Sequence, residues 1–109
     1  PEDAKAMLDK TGCDFIMLGR GSIGNPAIFR TTKELLEKGK ITSKFTQEDK
    51  LKMLSKFITY YEKYDHMQKF SELRQQSLWF TKSLDNSRKL RNLISKTKNI
   101  KEIKTILNI

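Results

Sequence analysis

Residues 12–29 read GCDFIMLGRGSIGNPAIF, and their reading decides what kind of fold this chain carries. Phe15-Ile16-Met17-Leu18 is continuously apolar. That pattern suits a short strand covered on both faces, as in parallel sheets. Gly19-Arg20-Gly21-Ser22-Ile23-Gly24 follows as a glycine-rich turn. Pro26 then suits the first turn of a helix. This helix is expected over about 26–38, with Ile28, Phe29, Leu35 and Leu36 on its apolar side and Gly39 at its end. Upstream, residues 2–11 read as a helix with Ala4, Met7 and Leu8 together, stopped at Gly12. One strand cannot make a sheet alone. The helix–strand–turn–helix segment, residues 1–40, is therefore expected to be the last βα unit of a larger α/β fold.

Downstream the period changes. Residues 39–46 are a linker, and Thr46 with Asp49 forms a capping-box pattern. A helix over about 47–65 carries Leu51, Leu54, Ile58 and Tyr61 as a stripe, widened by Met53, Phe57, Tyr60 and Tyr64. A second, about 67–82, places Phe70, Leu73, Ser77, Phe80 and then Leu84 at helical steps, with His66 near its start as a capping or solvated residue. A third, 87–97, presents Leu90, Leu93 and Ile94 to the interior. Asn99 with Glu102 caps a fourth. The expected fold class is mainly α: a four-helix, bundle-like domain over 46–109, preceded by a single βα remnant of a barrel.

The whole chain has 109 residues, with 22 Lys and Arg against 13 Asp and Glu, a formal charge of +9. Such a length excludes a complete barrel or a two-domain enzyme. No apolar run reaches a membrane span, and residues 1–20 do not have the layout of a signal peptide. One Cys and one His exclude a disulfide framework and argue against a His/Cys zinc site. A reducing, cytoplasmic setting fits. The chain opens on Pro1, which reads as an excised or processed piece of a longer parent. All of the excess charge lies in residues 50–109. A basic half is the footprint of a polyanion, usually nucleic acid. Because 17 of the 22 bases are Lys, compositional bias is the competing reading.

A glycine turn between strand and helix lets backbone N–H groups approach a phosphate. In βα barrels such a site commonly follows the last strands. Gly19, Arg20 and Gly21 are the candidates, with Arg20 able to add a charge-assisted contact. For the basic half, Lys82, Arg88, Lys89 and Arg91 cluster around one turn, with Lys96, Lys98, Lys101 and Lys104 beyond. Arg88 and Arg91 share a helix face and suit phosphate contact. Trp79 and the tyrosines read as packing residues rather than a nucleotide platform. Arg74 is expected to pair with an acid or to bind within the bundle. Cys13 reads as a small core side chain.

The segment Gly12–Phe29 resembles the final barrel strand of the tRNA-dihydrouridine synthases, whose motif runs roughly G-x-D-x-x-M-I-G-R-G-x-x-G-N-P-W-x-F. Ala27 stands where that family has Trp. Arg74, Trp79 and Lys82 are in register with its R-K-H-x-x-W-Y-x-K-G pattern, and Leu90-Arg91-Asn92-Leu93-Ile94 with its L-R-x-x-I. Gln76, Phe80 and Ser83 depart from it. The resemblance implies a TIM-barrel parent that reduces uridine in tRNA to 5,6-dihydrouridine with FMN, re-reduced by NADPH or NADH. It implies that backbone at Gly19 and Arg20 grips the FMN phosphate, that the helical domain holds tRNA, and that Arg74 is a further RNA contact. The general-acid cysteine belongs to a barrel loop outside this segment, so no catalytic or metal-binding residue is expected here. A monomeric parent, an inactive isolated segment and self-association through the lone strand are also expected. The alternatives are a non-catalytic helical protein-interaction module and the tail of another FMN-dependent barrel oxidoreductase.

Overall fold

A computed structural model describes residues 1–64 and 69–109. Its elements are α1 (Glu2–Thr11), a 3-10 turn (Arg20–Ser22), α2 (Ala27–Lys38), α3 (Gln47–Tyr64), α4 (Phe70–Phe80), α5 (Ser87–Ser95) and α6 (Ile100–Leu107). They form two compact units, Pro1–Phe45 and Thr46–Ile109. His66 and the first residues expected in the second bundle helix lie outside the described residues.

In the first unit, α1 and α2 end as their sequences dictate. Gly12 and Gly39 adopt left-handed φ values of 62° and 71°, and each N–H closes the last turn on Leu8 and Leu35. Glycine carries no Cβ penalty there. The strand expected over 13–18 does not form. Among the described residues no strand is present, because the segment has no neighbour to complete a ladder. Its exposure still alternates with the strand period. Ile16 and Leu18 are half-buried, whereas Phe15 and Met17 are 91% and 90% exposed. One face is packed and the other is bare. Cys13 is half-buried rather than in a core.

The interior face of α2 also differs from expectation. Phe29 and Leu36 are exposed, while Thr32 and Glu34 are buried. Glu34 accepts the N–H groups of Thr42 (2.9 Å) and Ser43 (2.8 Å) on one oxygen and the Ser43 hydroxyl on the other. Arg30 lies 3.8 Å away. These donors, the Ser43 hydroxyl foremost, hold the carboxyl down to about 2 against partial desolvation. Burial is thus tied to a clasp on the segment that follows α2.

The second unit follows its periodicity closely. Leu54, Ile58, Leu73, Phe80 and Ile103 form the core, flanked by Met53, Phe57, Tyr61, Phe70, Ile100 and Leu107. Phe57 and Phe80 stack at 5.5 Å and a 37° tilt. The capping box at α3 is complete: Thr46 N–H donates to Asp49 at 2.9 Å and Asp49 N–H donates to Thr46 Oγ1 at 3.1 Å. At α6, Glu102 N–H donates to Asn99 Oδ1 at 3.0 Å, and Lys98 N–H donates to Glu102 at 2.7 Å. Three stripe members lie outside the core. Leu93 is exposed beside the buried Ile94, and Tyr60 and Tyr64 face solvent.

Candidate functional site

The glycine turn is an exposed corner between the 13–18 segment and α2. Gly19 carbonyl accepts Ser22 N–H (3.0 Å) and Ser22 Oγ (2.7 Å), and Arg20 carbonyl accepts Ile23 N–H (3.2 Å). Asn25 N–H closes on Ser22 at 3.0 Å, with Gly24 at φ 66°. These bonds consume the carbonyls. The N–H groups of Arg20 and Gly21 meet no acceptor among the described residues, and the Arg20 guanidinium has no carboxylate partner there. A Cβ built at Gly19 would enter open space, whereas one at Gly21 would lie 3.3 Å from Ile28. The corner offers two backbone donors and one cation, with clear room in front of Gly19. That donor set fits an oxyanion such as a phosphate monoester.

The cationic residues lie in the second unit. Lys82 follows α4, and Arg88, Lys89 and Arg91 occupy the first half of α5; all four are exposed. Among the described residues none has an ion-pair partner. The nearby Asp85 is bonded to the Gln47 amide, which also accepts Asp85 N–H at 3.0 Å. Lys50 reaches Ser83 at 2.8 Å. Both contacts pin the 81–86 turn to the start of α3. Leu84, 7% exposed, sits beneath this turn.

The placement of charge on α5 runs against helix electrostatics. A helix favours acids in its first turn and bases in its last. α5 has no acid in its first turn and no base in its last. Two of its three cations, Arg88 and Lys89, instead stand in the first turn, the end that is already electropositive, and Arg91 follows at mid-helix. Lys96, Lys98 and Lys101 continue the exposed basic surface, while Lys104 is neutralised by Glu62 at 2.7 Å.

Arg74 is placed differently from the other four. Its Nη1 donates to the carbonyl of buried Thr97 at 2.9 Å, and its guanidinium lies 5.8 Å from the Phe70 ring centre. It ties α4 to the turn after α5, the helix whose Arg88, Lys89 and Arg91 form, with Lys82, an exposed cationic ridge. Trp79 is 37% exposed, so the packing expected of it is only partial. The Glu34 clasp and the Gln47–Asp85 link escaped sequence reasoning. Nothing in their composition sets them apart from solvated surface residues.

Among the described residues, no helix is long and apolar enough to cross a membrane, and no three of His, Cys, Asp and Glu are grouped to hold a metal. The chain is 31% identical over 104 residues to a probable tRNA-dihydrouridine synthase of Aquifex aeolicus, covering 93% of this chain and 31% of that protein. It is 52% identical over 52 residues to the probable tRNA-dihydrouridine synthase of Treponema pallidum, 48% of this chain and 15% of that protein. With tRNA-dihydrouridine synthase B of Pasteurella multocida it shares 42% over 57 residues, 52% of this chain and 17% of that one. The chain thus matches less than a third of the length of these relatives. The family model for dihydrouridine synthase (Dus) matches residues 1–108, and on that match the chain belongs to the dihydrouridine synthase family.

Proposed function

We propose that this chain is the C-terminal portion of a flavin-dependent tRNA-dihydrouridine synthase, supplying tRNA contact and part of the cofactor's phosphate site. The parent reaction is the reduction of uridine in tRNA to 5,6-dihydrouridine. FMN supplies the hydride there and NADPH or NADH restores it. In this chain, Arg20 and Gly21 N–H and the Arg20 guanidinium hold the phosphate end, with Gly19 leaving space for it. The bare Phe15 and Met17 face supports residues 1–40 as a terminal βα unit, because such a face packs in a complete barrel. The same face lets the isolated chain self-associate.

One observation carries the tRNA reading: Arg88 and Lys89, without an ion-pair partner among the described residues, stand in the electropositive first turn of α5, where helix stability favours acids, and Arg91 follows on the next turn. Lys82, Arg88, Lys89 and Arg91 meet phosphates along the RNA backbone. Arg74 holds the ridge from within the bundle.

The test is tRNA binding by the 109-residue chain across a salt series. Wild type is expected to bind with an affinity that falls steeply with salt. Reversal of Arg88→Glu and Arg91→Glu together weakens binding and flattens the log–log salt slope by about two units, roughly one per lost phosphate. Unchanged affinity and slope in the reversed variant would overturn the ridge and favour a protein-interaction module. Stoichiometric FMN binding by the chain alone would refute the partial nature of its cofactor site.

A further inference from the structure

Helix α3 carries a second cationic face that the ridge does not use. Lys56, Tyr60, Lys63 and Tyr64 recur at three- and four-residue steps and so share one side of the helix. Leu54 and Ile58, both fully buried, lie on the other. Tyr60 and Tyr64 are 54% and 65% exposed. Their rings sit 6.2 Å apart at a 35° tilt, and the Lys63 ammonium lies 4.8 Å from the Tyr64 ring centre. Among the described residues no carboxylate neutralises this face. Glu62 is engaged by Lys104 and Glu48 by Lys52. Lys56 and Lys63 have no ion-pair partner among the described residues.

The chemistry of the face selects its occupant. A groove for a protein helix needs aliphatic side chains, and this face presents only rings and ammonium groups between them. Rings interleaved with cations are how proteins hold single-stranded nucleic acid: bases stack on the rings and the cations meet the flanking phosphates. Stacking requires a base that is not already inside a duplex, so the face discriminates unpaired from paired RNA. We infer that Lys56, Tyr60, Lys63 and Tyr64 form a stacking platform for an unpaired nucleobase of RNA. This rests on the RNA reading above, but on separate residues and a separate kind of contact.

Two oligomers of about ten nucleotides distinguish base stacking from phosphate attraction: oligouridylate, and an abasic ribose-phosphate chain of equal length. Binding of each to the 109-residue chain is read by fluorescence anisotropy, with far-UV circular dichroism confirming that each variant is folded. Oligouridylate is expected to bind at least about fivefold more tightly than the abasic chain, the lower end of what one stacked base contributes. Tyr60→Ala with Tyr64→Ala erases that ratio. Tyr60→Phe with Tyr64→Phe keeps it, because stacking uses the ring and not the hydroxyl. Arg88→Glu with Arg91→Glu weakens both oligomers alike and leaves the ratio standing. Equal binding of the two oligomers by wild type, or a ratio that survives the double alanine change, overturns the platform. The ratio is measured on oligomers with no tRNA fold, so its failure is distinct from failure of the ridge on tRNA.

Discussion

Replacing Arg74 with alanine separates a structural arginine from a phosphate-contacting one. The Arg74 guanidinium donates to Thr97 carbonyl at 2.9 Å, and Thr97 is 3% exposed. A hydrogen bond from a charged donor contributes about 1.5–3 kcal/mol, and removing it leaves a shielded carbonyl without that partner. Loss of the guanidinium also removes its contact with Phe70 at 5.8 Å, about 0.5–1 kcal/mol at a partly exposed site. Because these terms overlap, Arg74→Ala is expected to cost about 2 kcal/mol. The sole tryptophan, Trp79, lies on the same helix and reports unfolding of this unit by fluorescence. With a urea dependence of about 1 kcal/mol per molar, the midpoint falls by about 2 M. Below the transition, the salt slope of tRNA binding stays at its wild-type value, whereas Arg88→Ala lowers it by about one unit. A midpoint unmoved by Arg74→Ala, together with a flattened salt slope, would refute the anchoring argument.

Other consequences follow from the same geometry. The Glu34 carboxyl is held at about 2, below its ordinary 4.5. Its contribution is therefore complete above about 4.5 and is lost as pH falls toward 2. Amide protection at Thr42 and Ser43, the slowing of exchange relative to that of an unfolded chain at the same pH, should fall across that window in wild type, and Glu34→Gln should show the low protection already at neutral pH. Leu54→Ala, at a fully buried core position, is expected to cost about 3 kcal/mol through lost transfer energy and the cavity left behind. Chemical denaturation followed at Trp79 measures it, and a loss below about 1 kcal/mol would mean that the core around Leu54 collapses freely.

Much of the helical unit was legible in the sequence. The stripe Leu54–Ile58 and the stripe Leu73–Ser77–Phe80 lie where periodicity puts them. The boxes at Thr46–Asp49 and Asn99–Glu102 close as their spacing requires. The candidate cations were legible too, because a helix with bases and no acid in its first turn is visible in one dimension. Less legible was which of them is already engaged within the fold. Arg74 and Arg91 look alike in sequence, but only Arg74 meets a carbonyl 23 residues away. Tyr60 and Tyr64 matched the apolar side of a wide stripe, and the width of that stripe is set by how many neighbours α3 has.

The sequence by itself determined what is decided within about one helical turn: where helices start and stop, which side of each is apolar, and where glycine must take a positive φ. It also carried the family resemblance, because the motifs are contiguous stretches. Tertiary structure decided everything that needs a distant partner. Residues 13–18 hold the alternation of a strand without being one, since a ladder requires a second chain segment alongside. Glu34 is buried because Thr42 and Ser43 fold back onto it, and Asp85 is withheld from the ridge because Gln47 reaches it across 38 residues. A carboxylate and an arginine are solvated or buried according to what the fold brings to them, and their own identities do not specify that.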